Sequence, residues 1–341
     1  MRSPHTSDAA AHRRSSSSGP PPRVLLAFYG LLDRGIRITG PSIARRVADP
    51  LRRHSKLTVA CFDMISSLAD NKSTCGMARA QLGCDVYEAE SVTASRAAVW
   101  RLCGARPDDC SPRNFTLRTL RGLRLPKRPV QPPLCRPGWR RSMSPWWRGW
   151  HGSCRVADFY IAYPTAERAM LQIYSESKIA AYLRRVGFGA YAVAVVCGPD
   201  QYFLQPAWTI VSEVLHAQQN ASRGVFTSTQ NAEYTNGFYV GRPDRVALVA
   251  GRYEEFRDYE RQWYETGSDY EGVLGDAYRR HRIERRVSSV YFFKVRASCK
   301  VSWQAPYGFR NGNSSLAAEY RARKEELEDR VRGWRSCSCS E

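Results

Sequence analysis

One apolar run constrains this chain more than any other stretch of it. Residues 191–200 read YAVAVVCGPD, in which three valines and a tyrosine are interleaved with alanine. This β-branched content predicts a strand buried on both faces, as in the middle of a parallel sheet. The run stops at Gly198-Pro199, so Asp200 stands at the carboxyl edge of the strand, where open α/β sheets bind their ligands.

Two interpretations of Asp200 follow from this position. A carboxylate there can bind a divalent cation, Mn²⁺ or Mg²⁺, and through it a substrate that carries phosphate. Gly-Pro-Asp is also an ordinary turn sequence, because all three residues favour turns. The residues alone leave both interpretations open.

The first residues after the proline-rich start predict a βαβ unit. Residues 23–30 (RVLLAFYG) and 57–63 (LTVACFD) each read as a buried strand, the second ending on an acid. Between them we expect a helix with Thr39 as N-cap and Pro41 in its first turn, which Pro50 shortens or kinks. Such a unit makes the two strands parallel.

The second half of the chain continues the alternation of helices and strands. Apolar spacing predicts helices near residues 167–186, 208–218, 246–253 and 274–281, and strands at 224–229, 237–241 and 290–295. Residues 316–334 predict an amphipathic helix with Glu–Arg pairs four residues apart, at the surface or against a partner. The fold class is therefore α/β, a mostly parallel sheet flanked by helices.

The charge of the chain is high and unevenly distributed. The net charge is +20, and residues 104–156 hold twelve Lys or Arg against two acids, a net +10 within one segment that also carries eight prolines and four tryptophans. This basic insertion is either a solvated loop or an arm that contacts an anionic surface. No zinc-finger, RNP-like or basic-zipper pattern accompanies it, so a known nucleic-acid module is not expected.

The cysteines and histidines do not form a metal pattern. The eleven cysteines contain no C-x-x-C pair and the six histidines no H-x-x-H, which disfavours zinc. An odd cysteine number favours mostly reduced thiols, with room for one or two disulfides. No apolar stretch of membrane-spanning length and no secretory signal is visible, so we expect a cytoplasmic protein, with an organelle transit peptide as the alternative.

These patterns divide the chain into three parts. We expect a disordered tail over residues 1–22, one α/β domain over 23–301 that contains the insertion 104–156, and a surface helix with a tail over 302–341.

Several short motifs occur in a recognisable order. They are Phe28-Tyr29-Gly30-Leu31 with Arg34 and Arg37, Thr39, Pro41-Ser42-Ile43, Pro50-Leu51, Met170, Tyr174-Ser175-Glu176, Tyr191-Ala192-Val193, Cys197-Gly198-Pro199-Asp200, the run YTNGFYVG at 234–241, Pro243, Tyr253, and FFKVRA at 292–297. In this order they resemble a poorly characterised glycosyltransferase-like family of large DNA viruses, algae and protists. The resemblance spans most of residues 23–301.

The resemblance implies a GT-A-like fold, a Rossmann-like sheet that binds a nucleotide-diphosphate sugar and transfers the sugar to an acceptor. Enzymes of that fold that depend on a metal usually carry Asp-x-Asp after the key strand. Here Cys197-Gly198-Pro199-Asp200 offers one carboxylate. A metal would then be held mainly by substrate, be replaced by cations such as Arg34 and Arg37, or be absent together with catalysis.

Further residues are candidates for the nucleotide or for catalysis. Gly30, Gly198, Tyr234, Asn236, Gly237 and Arg296 complete the expected donor site, with Asp200 as ligand of the metal or the ribose. Asn236-Gly237 brings a backbone amide close to a sugar or forms a hairpin turn. Asp269 and Glu271 are candidate bases for the acceptor hydroxyl, or the N-terminal cap and first-turn charge of a helix.

Three functional hypotheses remain from the sequence. The chain is an active glycosyltransferase with an unknown acceptor, or an inactive transferase-like scaffold, or a basic protein that binds polyanions through residues 104–156.

Overall fold

The structure is a computed structural model. It describes residues 19–65, 80–102, 163–218, 224–230, 233–255, 270–288, 290–295, 301–302 and 315–333. Most of the predicted tail (residues 1–18) and all of the predicted insertion 104–156 therefore lie outside the described residues.

The central sheet has seven strands in the order β3-β2-β1-β4-β7-β6-β8. In chain order they are β1 (Arg23–Gly30), β2 (Lys56–Ile65), β3 (Val86–Ser91), β4 (Val193–Cys197), β6 (Gly224–Gln230), β7 (Glu233–Gly241) and β8 (Glu284–Ser288). The pairs β1–β2, β2–β3, β1–β4 and β6–β8 are parallel, whereas β7 runs antiparallel to β4 and β6. The prediction of a mostly parallel α/β sheet is confirmed, with one correction: β4 is parallel to only one of its two neighbours.

Helices cover both faces of this sheet. They are α1 (Asp33–Ile43), α2 (Asp49–His54), α3 (Val92–Leu102), α4 (Tyr163–Val186), α5 (Trp208–Gln218), α6 (Pro243–Ala250), α7 (Tyr270–Arg280) and α8 (Ser315–Gly333). Successive residues of β1 point to opposite sides: Leu26 and Phe28 join the core beneath α1, α2 and α5, whereas Leu25 and Ala27 join the core beneath α4, α6 and α7. This explains why the apolar runs of β1 and β4 are continuous. Within the described ranges, no helix combines the length and apolar character needed to cross a membrane.

A second, antiparallel sheet contains β5 (Gln201–Phe203), β9 (Phe292–Val295) and β10 (Val301–Ser302). Helix α8 buries Tyr320, Leu327 and Val331 in a cluster with Phe293 and Val295 of this sheet. The amphipathic face predicted for the C-terminal helix is therefore covered by the same chain.

The helix after β1 differs from the prediction. It begins at Asp33, so Thr39 is an internal, buried residue and not an N-cap, and Pro41 lies within the helix. A π-helical segment, Ala44–Ala48, then leads into α2, where Pro50 is in the first turn. Because proline has no N–H to offer the Arg46 carbonyl, that carbonyl is available for the N–H of Ala207, at 2.8 Å.

The three cysteines within the described ranges include one disulfide, between Cys61 of β2 and Cys84, which precedes β3. Cys197 is a free, buried thiol. The other eight cysteines lie outside the described residues, so the expectation of mostly reduced thiols stays a prediction. Disulfides are typical of oxidising compartments, which weighs against a cytoplasmic location.

Candidate functional site

The candidate site lies where the strand order of the central sheet reverses. From β1 the chain adds β2 and β3 on one side, and β4 then pairs with the other side of β1. In open α/β sheets the carboxyl ends of the two strands at this switch point border a crevice that binds ligands. Here those ends are Gly30, which has φ +94°, and Cys197.

The turn after β4 is held by hydrogen bonds from three directions. The buried Thr39 hydroxyl of α1 donates to the Pro199 carbonyl. The Gly198 N–H donates to the Gly237 carbonyl at 2.6 Å, and the Val295 N–H donates to the Asp200 carbonyl at 2.8 Å. The turn is thus part of a fixed frame contributed by α1, β7 and β9.

Gly237 is required by the geometry of this frame. It has φ +94°, and a Cβ at this position would lie 2.7 Å from Nε2 of Gln201 and 3.6 Å from the hydroxyl of Tyr29. Asn236-Gly237 is not the hairpin turn that its sequence favours, because both residues belong to β7 and the β6–β7 connection comes earlier in the chain. The glycine instead brings the β7 backbone close to the switch point.

Asp200 is partly buried and folds back over the turn. One of its carboxylate oxygens, Oδ1, is 3.0 Å from the position that a Cβ on Gly198 would occupy. With the described part of the chain the carboxylate forms neither a hydrogen bond nor an ion pair. Its predicted role as a ligand of the metal or the ribose stays a prediction.

Gln201, which sequence analysis missed, is the most unusual residue of the site. It is completely buried, and its Nε2 has no hydrogen-bond partner in the described part of the chain. The Cys197 thiol donates to its Oε1 at 3.4 Å. Its position directly after the predicted edge acid is the only sequence signal that could have indicated it.

A buried charged pair lies on the α4 side of the sheet, next to the switch point. Nη1 of Arg252 donates to Oε2 of Glu176 at 2.6 Å, and the Tyr239 hydroxyl donates to the same oxygen at 3.1 Å. Both charged side chains are 0% exposed. Burial opposes the charged form of Arg252, but the Glu176 carboxylate outweighs it and raises the pKa of Arg252. Burial, and then the Glu176 charge, raise the pKa of Tyr29 and of Tyr239 well above the usual value, so both phenols stay protonated.

A cavity of about 190 Å³ lies beside the carboxyl ends of β2 and β3. Its polar wall includes Glu90 and Lys178, which form an ion pair at 2.8 Å, and Tyr174, whose hydroxyl is 3.0 Å from both Glu90 oxygens. Burial lowers the pKa of Lys178, but Glu90 and Tyr174 outweigh burial and leave that pKa raised. These three groups satisfy one another.

The structure places the other predicted site residues only in part. The structure describes the backbone, but not the side chain, of five of them: Arg34 and Arg37 in α1, Tyr234 and Asn236 in β7, and Glu271 in α7. Asp269 and Arg296 lie outside the described residues. Gly30, Gly198, Asp200 and Gly237 are brought together at the carboxyl edge.

Between the ends of β1 and β4, the described residues offer a divalent cation the carboxylate of Asp200. Among the described residues, no group of three or more His, Cys, Asp or Glu side chains is arranged to hold a metal ion. Asp200 fits one ligand position of Mn²⁺ or Mg²⁺, and the remaining oxygen ligands would have to come from substrate and water.

A comparison with solved structures gives a weak similarity. No family model matches the sequence, and no curated protein matches it. The crystal structure of mouse xyloside xylosyltransferase 1, in the apo form, is similar over 78% of this chain and 84% of that chain, with a TM-score of 0.34 and 8% identity. That similarity is too low to bear on function, and membership of the viral, algal and protist family stays a prediction.

Proposed function

We propose that this protein is a glycosyltransferase that binds a nucleotide-diphosphate sugar between the carboxyl ends of β1 and β4. The observation that carries the proposal is the convergence, at the switch point of the sheet, of Gly30, Gly198, Gly237 and the Asp200 carboxylate. The motifs that resemble a glycosyltransferase-like family supply four of the elements that border this point: β1, α1, β4 and β7.

The diphosphate fits the beginning of α1. This helix of eleven residues starts three residues after β1 ends, so its N-terminal end lies at the carboxyl edge. The Asp63 carboxylate already accepts the N–H of Leu32 at 3.1 Å, so the diphosphate would meet the remaining first-turn N–H groups and the positive dipole end of the helix, which favour an anion. Arg34 and Arg37, in the first turns of α1, are the proposed cations that neutralise charge on the departing diphosphate.

Asp200 is the proposed hydrogen-bond acceptor or metal ligand of the donor site. It binds either a hydroxyl of the donor or a divalent cation, which would supply further neutralisation of the diphosphate when bound. Asp269 and Glu271 remain the candidate bases for the acceptor hydroxyl, and the acceptor itself is unknown.

Binding of donors to matched variants tests the proposal. We expect one or more members of a panel of UDP- and GDP-sugars to raise the melting temperature of the protein. Asp200→Asn should weaken that binding by about 10- to 100-fold, because a hydrogen bond to a charged group is lost. Differential scanning fluorimetry measures the first effect and titration calorimetry the second. Loss of native binding in EDTA, together with EDTA-insensitive binding by Asp200→Asn, would assign Asp200 to a metal.

The control is Asp49→Asn. Asp49 is exposed and is the first residue of α2, and it pairs with Arg52 of the same helix. This helix precedes the amino end of β2, so Asp49 lies at the end of the sheet opposite to the candidate site. Equal affinity of the two variants, or no donor bound by the native protein, would contradict the proposal. Donor binding without hydrolysis or transfer to any acceptor would favour the inactive scaffold.

A further inference from the structure

The side-chain amide of Gln201 has a buried N–H donor without a hydrogen-bond partner among the described residues, which costs free energy of folding. Gln201 is 0% exposed, and its Nε2 makes no hydrogen bond with the described part of the chain. Nearly all buried polar groups in folded proteins have partners, and an unpartnered one loses its hydration without compensation. A residue of this kind at a switch point indicates a partner that arrives with a ligand.

The amide lies between Cys197 and two glycines. The Cys197 sulfur is 3.4 Å from Oε1 of Gln201 and 3.4 Å from the Gly198 carbonyl, and Nε2 of Gln201 lies next to Gly237 and Gly198. Burial, and then the nearby Asp200 charge, raise the pKa of Cys197 well above its usual value. The sulfur therefore keeps its proton and remains a donor at neutral pH.

Asp200 and Gln201 meet over the same glycine. The point that a Cβ on Gly198 would occupy lies 3.0 Å from Oδ1 of Asp200 and 3.4 Å from Nε2 of Gln201. An acceptor and a donor thus lie side by side against the backbone of Gly198, where any side chain would crowd them. The Asp200 carboxylate pairs with none of the described residues.

We propose that Asp200 and Gln201 bind one sugar hydroxyl of the donor between them, with Gln201 as a positioning residue. A hydroxyl donates to a carboxylate and accepts from an amide N–H, so it satisfies both groups, whereas a phosphate oxygen would face the Asp200 charge. This inference rests on the proposed function. A diphosphate bound at α1 lies on the β1 side of β4. Gln201 lies next to Gly237 of β7, on the other side of β4. The group beside Gln201 is therefore one attached to the diphosphate, and not the diphosphate itself. Both flanking groups, the ribose and the transferred sugar, carry hydroxyls.

Replacement of the amide by an apolar side chain of similar size tests this role. Gln201→Leu should bind the best nucleotide sugar of the panel about tenfold more weakly, while its melting temperature stays the same or rises, because an unpartnered donor is removed. Gln201→Met serves as a second variant with an unbranched chain. Calorimetry with the nucleotide sugar and with the same nucleoside diphosphate assigns the hydroxyl: loss with both indicates the ribose, and loss with the nucleotide sugar alone indicates the transferred sugar.

Gln205→Leu is the matched control. The Gln205 amide oxygen accepts the N–H of Tyr291 at 2.8 Å, so this variant should lose stability and keep donor affinity. The inference is overturned if the native protein binds a donor and both Gln201 variants bind it equally well. If the native protein binds no donor, the proposed function and this inference fail together.

Discussion

Glu176→Gln should lower the free energy of unfolding by about 3–5 kcal/mol, because it leaves the Arg252 charge buried without its counter-ion. Both side chains are 0% exposed, and their contact of 2.6 Å joins α4 to the segment after α6. Tyr239 also loses a charged acceptor in this variant. Urea denaturation of the purified protein measures the change.

Two comparisons separate this effect from ordinary loss of a surface ion pair. Glu254→Gln removes the partner of Arg184, and since that pair is about half exposed, we expect a change below about 1 kcal/mol. The double variant Glu176→Leu with Arg252→Met removes both charges and should recover most of the lost stability. If Glu176→Gln is as mild as Glu254→Gln, the buried pair is not formed in solution.

Loss of the Cys61–Cys84 disulfide should be the second largest effect. The bridge closes a loop with a sequence separation of 23 residues, for which the chain-entropy relation gives about 3 kcal/mol. Cys84→Ser should therefore lower the melting temperature by several degrees. Differential scanning fluorimetry with and without a reducing agent measures this.

The same assay contains its own control. A reducing agent should lower the melting temperature of the native protein and leave that of Cys84→Ser unchanged, because the variant has no bridge at this position. A native protein that is insensitive to strong reductant under denaturing and native conditions alike would argue that the bridge is absent.

The central strands could be predicted from the sequence, and the edge strands could not. β1 and β4 are buried on both faces, so their apolar runs are continuous and unambiguous. β3 (VYEAES) and β8 (ERRVS) lie at the two edges of the sheet and carry charges that are usual on edge strands. Their sequences therefore resemble loops.

Helix α1 shows tertiary contacts overriding local preference. Gly40 and Pro41 are poor helix formers, and their presence led to a predicted start at Thr39. In the structure Thr39 bonds to Pro199, and the Ser42 hydroxyl both donates to the Phe203 carbonyl and accepts its N–H. Those partners are about 160 residues away, so no local pattern could reveal them.

The candidate site was predictable where it follows a strand end. Asp200 and Gly198 come directly after the most apolar run, and an edge position follows from that alone. Gln201 and the Glu176–Arg252 pair were missed because their significance depends on burial and on contacts between distant segments. The sequence left the hairpin turn open for Asn236-Gly237 because the dipeptide that favours such a turn also allows the positive φ at Gly237 that the close approach to Gln201 needs.

Hydrogen–deuterium exchange with the best nucleotide sugar of the panel tests the central claim most directly. Donor binding between β1 and β4 should slow exchange by at least about tenfold in the amides that follow these strands, residues 30–36 and 198–203, and in β7 near Gly237, because exchange there requires local opening. Protection of these three segments together is the result that we predict. Protection confined to the cavity beside β2 and β3, at residues 62–64 and 88–90, or no change at the β1–β4 edge despite bound donor, would contradict it.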